Sequence, residues 1–344
     1  MPQSNPRTQT LRRGVQGAFL ALCAWIGIDF ARFLGPGQAP HPAGAEGFLP
    51  ISALLSLKYW LVTGRIHGFH PAGLFIFIAI LGLGLLLSKS FCSWLCPVGT
   101  LSEGLWLLGR KLFGRNRALP GWLDRPLRAV KYLLLGFFLW AVWRMDGPAL
   151  EGFLDSPFNA LADVRMYLFF AHISGLALGV ILALAVLSML VQNVWCRYLC
   201  PYGALLGLLS LASPLRVTRA KASCIDCGLC TRACPSRIQV HRAGRVASDE
   251  CTACYRCVAV CPVRDTLEMR APGGKAVKGW VFGLLVAGLF VAVTGLAMAT
   301  GHWRTSLSRQ DYLQLMPEAQ ADGMPRIDHQ HSSANFPVRP GFFP

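Results

Sequence analysis

The chain has 344 residues, of which 53% are hydrophobic and 15% charged, with a mean hydropathy of +0.44 and a formal net charge of +16. That balance is too apolar for an ordinary soluble domain, so membrane-spanning segments are expected. Thirteen cysteines would suggest a disulfide scaffold in a small secreted chain, but twelve fall in four short motifs with ligand-type spacing, which fits metal chemistry in a reducing compartment. The positive charge is not interleaved with aromatics around a polar domain, so no nucleic-acid partner is expected.

In chain order, a polar tail over residues 1–13 carries Arg7, Arg12 and Arg13 and leads into an apolar run at 14–28. Small residues near Ala43-Gly44-Ala45 fit a signal peptide loosely; an uncleaved span reaching Leu34 fits the run better. Cys23, in this run, stands outside every motif and reads as a small buried apolar residue. Asp29 and Arg32, one turn apart near the outer end, fit either a quinol head-group site or a satisfied pair. The stretch 48–62 is too short to span and carries Lys58, so it reads as an interfacial or re-entrant helix. Further spans are expected at 71–88, 127–143, 168–191 and 278–300, making about five in an otherwise mostly α bundle.

Two of these spans belong to a repeat. His70-Pro-Ala-Gly-Leu leads to Phe91-Cys92-Ser-Trp-Leu-Cys96-Pro97-Val-Gly99, and His172-Ile-Ser-Gly-Leu leads to Trp195-Cys196-Arg-Tyr-Leu-Cys200-Pro201-Tyr-Gly203. The duplicated helical hairpin gives one membrane repeat over 14–110 and another over 111–213, parallel and related by an axis near the membrane normal. Within each C-x3-C-P motif the cysteines share a helical face, and Pro97 and Pro201 suit the first turn of short helices at 98–108 and 202–212. Thiols at a helix N-terminus are expected to have lowered pKa values. Cys92, Cys96, Cys196 and Cys200 are therefore candidate redox or metal thiols. Cu(I), a third cluster, a reversible disulfide or close approach to a quinone all suit them. His70 and His172 precede their motifs by 22 and 24 residues, so a haem or copper site built from them would lie at the opposite membrane face.

Between the fourth and fifth spans, residues 214–272 hold the most specific signal. Cys224, Cys227, Cys230 and Cys234-Pro235 are followed by Cys251, Cys254, Cys257 and Cys261-Pro262, so a C-x2-C-x2-C-x3-C-P run occurs twice with sixteen residues between. In bacterial two-cluster ferredoxins with this spacing, each cubane takes three cysteines from one run and the fourth from the other. Cys224, Cys227, Cys230 and Cys261 are assigned to one [4Fe-4S] cluster, and Cys251, Cys254, Cys257 and Cys234 to the second. A zinc ribbon needs four thiols, whereas eight are present in two identical runs.

Of 33 Lys and Arg residues, 24 lie in the N-terminal tail, at 89–131 or at 197–278, which by the positive-inside rule puts the clusters on the cytoplasmic side. The polar tail 301–344 then falls outside, in a periplasm, with one short helix at 310–316. His302, His329 and His331 in it suit a weak metal site or a docking arm for a periplasmic partner.

Two C-x3-C-P motifs at the inner ends of duplicated spans, joined to a cytoplasmic two-cluster module, resemble the membrane polyferredoxins of the NapH, NosR and YccM type. The likeness covers about residues 14–300. It implies a bacterial inner-membrane protein passing electrons between a membrane donor, a quinol, and a membrane or periplasmic redox partner. A copper reductase or metalloenzyme maturation factor is the alternative, and an iron–sulfur redox sensor a third. The chain lacks the large periplasmic flavin-bearing domain of the NosR branch and the long soluble C-terminal domain of the oxidase-assembly branch. It has one more span and a longer outer tail than the simplest NapH form. No nucleotide-binding signature or hydrolase triad occurs, so an electron-transfer component rather than a stand-alone enzyme is expected.

Overall fold

A computed structural model of the protein describes residues 6–35 and 39–321. The chain opens with the long helix α1 (Pro6–Leu34), followed after a short 3-10 turn (Ala43–Phe48) by α2 (Pro50–Thr63) and α3 (Pro71–Leu86). The first thiol motif is the single turn α4 (Phe91–Trp94) running into α5 (Pro97–Phe113). Then come α6 (Gly121–Arg144), the short α7 (Gly147–Leu154) and α8 (Pro157–Ala160), α9 (Ala162–Ala171) and α10 (Gly175–Leu190). A π-turn (Trp195–Leu199) carries the second thiol motif into α11 (Pro201–Ser210). The cysteine-rich module follows as β1 (Arg216–Arg219), α12 (Leu229–Ala233), α13 (Arg256–Ala259) and β2 (Leu267–Arg270), and α14 (Gly279–Ala299) and α15 (Arg309–Ala321) close the described chain.

Local sequence explains most of these starts. Proline opens α2, α3, α5, α8 and α11 at positions whose N–H has no helical partner. Side-chain caps begin α7, α8 and α10, where Asp146, Ser156 and Ser174 accept from the N–H groups of Ala149, Asn159 and Ala177. α3 is the axis of the bundle, packed by α2, α11 and α14, with Ala72, Leu74, Phe77, Ala79, Ile80 and Leu83 all buried. Apolar side chains left on the outside, such as Leu133 and Phe137 on α6, Leu176 and Leu182 on α10 and Leu284 and Val291 on α14, form the surface a bilayer would cover.

The expectation of five spans is revised. Among the described residues, three helices are long and apolar enough to cross, Arg7–Leu34, Gly121–Arg144 and Gly279–Ala299. The run expected as a single span at 168–191 is broken: α9 and α10 meet at 80°, because Ser174 caps a new helix after α9 has ended at Ala171. α3, at 16 residues, is about 24 Å long, short of a ~30 Å hydrocarbon core. By length and composition the described residues thus supply three candidate spans, or four if the bent pair counts as one.

The module after α11 has a two-stranded antiparallel sheet in the register Val217↔Met269 and Arg219↔Leu267, with Val217, Leu267 and Met269 buried. That inner face continues through Val240, Val246 and Tyr255 into Trp94 and Phe282, so the module and the bundle share one core.

Candidate metal centre

The two cysteine runs repeat in backbone as well as in spelling. Asp226 and Gly228 adopt left-handed conformations (φ 48° and 68°), and so do their counterparts Ala253 and Tyr255 (φ 49° and 57°). Two such residues per run coil the chain around its ligands, at a cost of about 1–2 kcal/mol for each non-glycine. The result is a pair of separate cavities. One is lined by Cys224, Cys227, Cys230 and Cys261, the other by Cys251, Cys254, Cys257 and Cys234. Each holds three cysteines of one run and the far fourth of the other, the grouping that the spacing predicts. Cys227 is exposed and Cys257 buried, so the first set faces solvent and the second faces the bundle. Burial pushes Cys234 up to about 12 and Cys251 to about 11, so these thiols become thiolates when a metal takes the proton's place.

A third group of thiols lies beside the second set. The first C-x3-C-P motif is bolted to the second run: Ser93 Oγ donates to Thr252 O at 2.5 Å and Trp94 Nε1 to Ala253 O at 3.1 Å. The second motif is bolted to the end of the first run, where Arg197 donates to Ser236 O at 2.9 Å while also pairing with Asp124. Cys92, Cys196 and Cys254 consequently line one cavity of about 50 Å³. Cys96 and Cys200 complete the group, each accepting an N–H at its helix start, from Gly99 at 3.4 Å and from Gly203 at 3.3 Å. The lowered pKa expected from helix position is overturned: burial outweighs those N–H bonds and pushes Cys96 and Cys200 up, and at Cys92 it outweighs the nearby Lys89 ammonium and pushes the thiol up to about 11.

Charged side chains clamp the junction. Glu103 of α5 receives Arg12 of α1 at 2.6 and 2.7 Å and Arg256 of α13 as well. Burial works to raise the Glu103 pKa, but the two guanidinium groups win and hold its carboxyl down at about 2. Lys131 of α6 pairs with Glu250, directly before Cys251, and Tyr132 donates to Asp249. None of these contacts is local in sequence, and single-chain patterning does not reveal them.

The remaining candidates separate. His70 is buried at the start of α3 with Nε2 donating to Asn159 O at 2.7 Å, whereas His172 is exposed at the α9–α10 break. Asp29 and Arg32 form an exposed pair at 3.1 Å. His329 and His331 lie outside the described residues, and His302 is exposed, with its Nδ1 3.2 Å from Thr300 Oγ1. Sequence reading missed a buried group around His70: Asp163 takes His41 Nε2 at 2.7 Å and Tyr312 at 3.1 Å, and Glu46 takes Gly73 N at 3.1 Å. Glu46, directly after the small residues Ala43-Gly44-Ala45, gave no periodic signal.

Two four-cysteine cavities in a module sharing its core with a helical bundle define a membrane-bound ferredoxin. Comparison with known proteins agrees. A family profile described as "4Fe-4S binding domain" matches residues 69–116 and again 172–219, and one described as "4Fe-4S dicluster domain" matches 218–269. YccM of Escherichia coli (strain K12), a candidate electron transport protein, is 44% identical over 333 residues, covering 93% of this chain and 92% of that protein. The ferredoxin-type protein NapH of Escherichia coli (strain K12) is 32% identical, covering 50% of this chain and 59% of NapH. The regulatory protein NosR of Pseudomonas aeruginosa is also 32% identical, over 48% of this chain and 23% of NosR. No solved structure matches. The chain belongs to the family of membrane polyferredoxins that includes YccM, and it is an electron transport protein with 4Fe-4S domains.

Proposed function

We propose that the chain is an inner-membrane electron conduit with its cysteine module in the cytoplasm. Cys224, Cys227, Cys230 and Cys261 hold one [4Fe-4S] cluster, and Cys251, Cys254, Cys257 and Cys234 hold the other; bound there, the clusters supply one-electron carriers. The observation that carries this reading is the pair of cavities, each lined by three cysteines of one run and the fourth of the other. The concentration of Lys and Arg on the module's side supports the cytoplasmic placement. The resemblance to NapH-type proteins supports a quinol as membrane donor and a membrane or periplasmic redox protein as partner.

The chain's own residues do the rest. The second run packs against Trp94 and buries Tyr255 and Cys257, while exposed Cys227 brings the first run to the surface where a partner can approach. Ligand crossing is tested by electron paramagnetic resonance of anaerobically purified protein. Cys261→Ala is expected to remove the same signal as Cys224→Ala, and Cys234→Ala the same as Cys254→Ala. Loss sorted by run instead of across runs would overturn the assignment. A quinol analogue is expected to bleach the visible absorption of the wild type within the mixing experiment; clusters left oxidised by it would sink the quinol donor.

A further inference from the structure

A polar cavity at the start of α6 is lined by none of the twelve motif cysteines. We propose that it binds the phosphate of an anionic lipid headgroup, gripped between Arg128 of the helical bundle and Arg237 of the cysteine module. This rests on the inner-membrane placement proposed above and adds a ligand to it.

Three observations converge. First, the cavity has the room and the depth. It measures about 290 Å³ and lies between α6, the second thiol motif and the module, with Asp124, Arg128, Arg197, Arg237 and Glu250 in its wall. The 24 residues of α6 make a helix of about 36 Å, longer than a ~30 Å hydrocarbon core. Its charged first turns therefore reach the headgroup layer, and Trp122 in the first turn is 76% exposed, as interfacial tryptophans are. Second, the cations outnumber the carboxylates. Asp124 takes Arg197 through Nε and Nη2, both at 3.0 Å, and Tyr198 at 2.7 Å, while Glu250 takes Lys131. Arg128 Nε comes within 3.1 Å of Asp124, but it is buried without an acceptor in line. Arg237 donates to the main-chain oxygen of Arg117, and the like charge of Arg197 acts on it. Counting Lys131, four cations stand against two carboxylates, and a half-buried surplus of this kind calls for an anion. A guanidinium fork matches phosphate oxygens two at a time. Third, the adjoining chain is basic and fixed. From 110 to 128 it carries Arg110, Lys111, Arg115, Arg117, Arg125 and Arg128 against the acid Asp124. Arg117 N–H donates to Leu190 O at 2.8 Å and Asn116 Nδ2 to Met189 O at 3.0 Å, so the loop beside the cavity is tied to α10. Basic pockets beside membrane helices hold anionic headgroups in this way. An anion seated there fastens α6 to the module and offsets the repulsion among the guanidinium groups.

The test uses full-length protein purified anaerobically in a neutral detergent at ~0.15 M salt, where unspecific surface attraction is screened. Thermal unfolding is followed as mixed micelles containing phosphatidylglycerol, mixed micelles containing phosphatidylcholine, or inorganic phosphate alone are added. Phosphatidylglycerol is expected to raise the melting temperature to a plateau, and phosphatidylcholine to leave it in place. Arg128→Gln/Arg237→Gln is expected to weaken phosphatidylglycerol binding about tenfold or more. Arg115→Gln/Arg125→Gln removes two exposed charges that do not line the cavity, and is expected to weaken it by less than about threefold. Intact ferredoxin signals in electron paramagnetic resonance report that a variant has folded. If the first double variant does not fold, Arg237→Gln alone, which breaks no ion pair, is expected to weaken binding by about threefold or more. Inorganic phosphate is expected to displace the lipid only at far higher concentration. Equal losses in the two double variants would overturn the site, and phosphate binding as tightly as the lipid would overturn the lipid source. A wild type that stays soluble without detergent would instead count against the membrane placement.

Discussion

A methyl group placed on Gly99 would lie 2.1 Å from the carbonyl oxygen of Cys92, closer than any real contact, whereas at Gly203 the matching distance to Cys196 O is 3.1 Å. The first motif turns into α5 so tightly that no side chain fits; the second, loosened by its π-turn, leaves a little room. Gly99→Ala is therefore expected to destabilise the protein by roughly 2–4 kcal/mol and Gly203→Ala by about 1 kcal/mol or less. Thermal unfolding of the two variants in detergent checks this, and equal losses would show that the copies are packed alike. At this scale the cysteine runs were legible, because ligand-type spacing is written in the chain itself and recurs after 27 residues, from Cys224 to Cys251. The protonation of the membrane thiols was not. It depends on which elements fold over Cys92 and Cys196, and burial there reverses what helix position alone implies.

Glu103 joins three elements that are far apart in sequence: α1 through Arg12, its own α5, and α13 through Arg256. Arg12 is fully buried, so removing its carboxylate leaves a charge without a partner, at a cost on the order of 3–5 kcal/mol. Glu103→Gln is expected to lower the melting temperature and free the cysteine module for proteolysis between α11 and α14. The carboxyl sits near 2 in the folded protein against an ordinary 4.5. Its contribution is thus complete above 4.5 and fades only as pH falls from there toward 2. The gap between wild type and variant is expected to stay flat from pH 8 to pH 5; a gap closing within that window would mean that Glu103 is not the group involved. Element starts were largely readable, since Pro97, Pro201 and Ser174 act locally. Element direction was not: apolarity over 168–191 marks residues suited to lipid, but the 80° bend depends on where Ser174 restarts the helix.

Across the whole molecule, α3 separates two poles of different character. At one end lie the thiols and the cysteine module; at the other, Glu46, His70, Asp163 and Tyr312 are buried, with half-buried His41 beside them and no cysteine among them. Tyr312 belongs to α15, and its bond to Asp163, stacked beside His41, holds this C-terminal helix against the bundle. The pole was illegible beforehand because its members come from five segments that no periodicity connects. Burial is the main force on Glu46, pushing its carboxyl well above the ordinary 4.5 with Asp163 adding to the effect, while the N–H of Gly73 works the other way. The folded state therefore binds this proton more tightly than the unfolded chain does. That stability is complete below about 4.5 and is lost as pH rises toward the folded value. Glutamine keeps the shape and an acceptor for Gly73 N–H without titrating. Glu46→Gln is expected to match the wild type near pH 4.5 and to exceed it progressively at higher pH, by up to ~1.4 kcal/mol for each pH unit until the folded value is reached. His41, His70 and Asp163 are present in both proteins, so the comparison isolates the side chain at position 46. Anaerobic thermal unfolding of the two proteins from pH 5 to pH 9 measures the difference. A pH-independent gap would show that Glu46 is ionised in the folded protein, and the pole would then be held by charge pairing rather than by a retained proton.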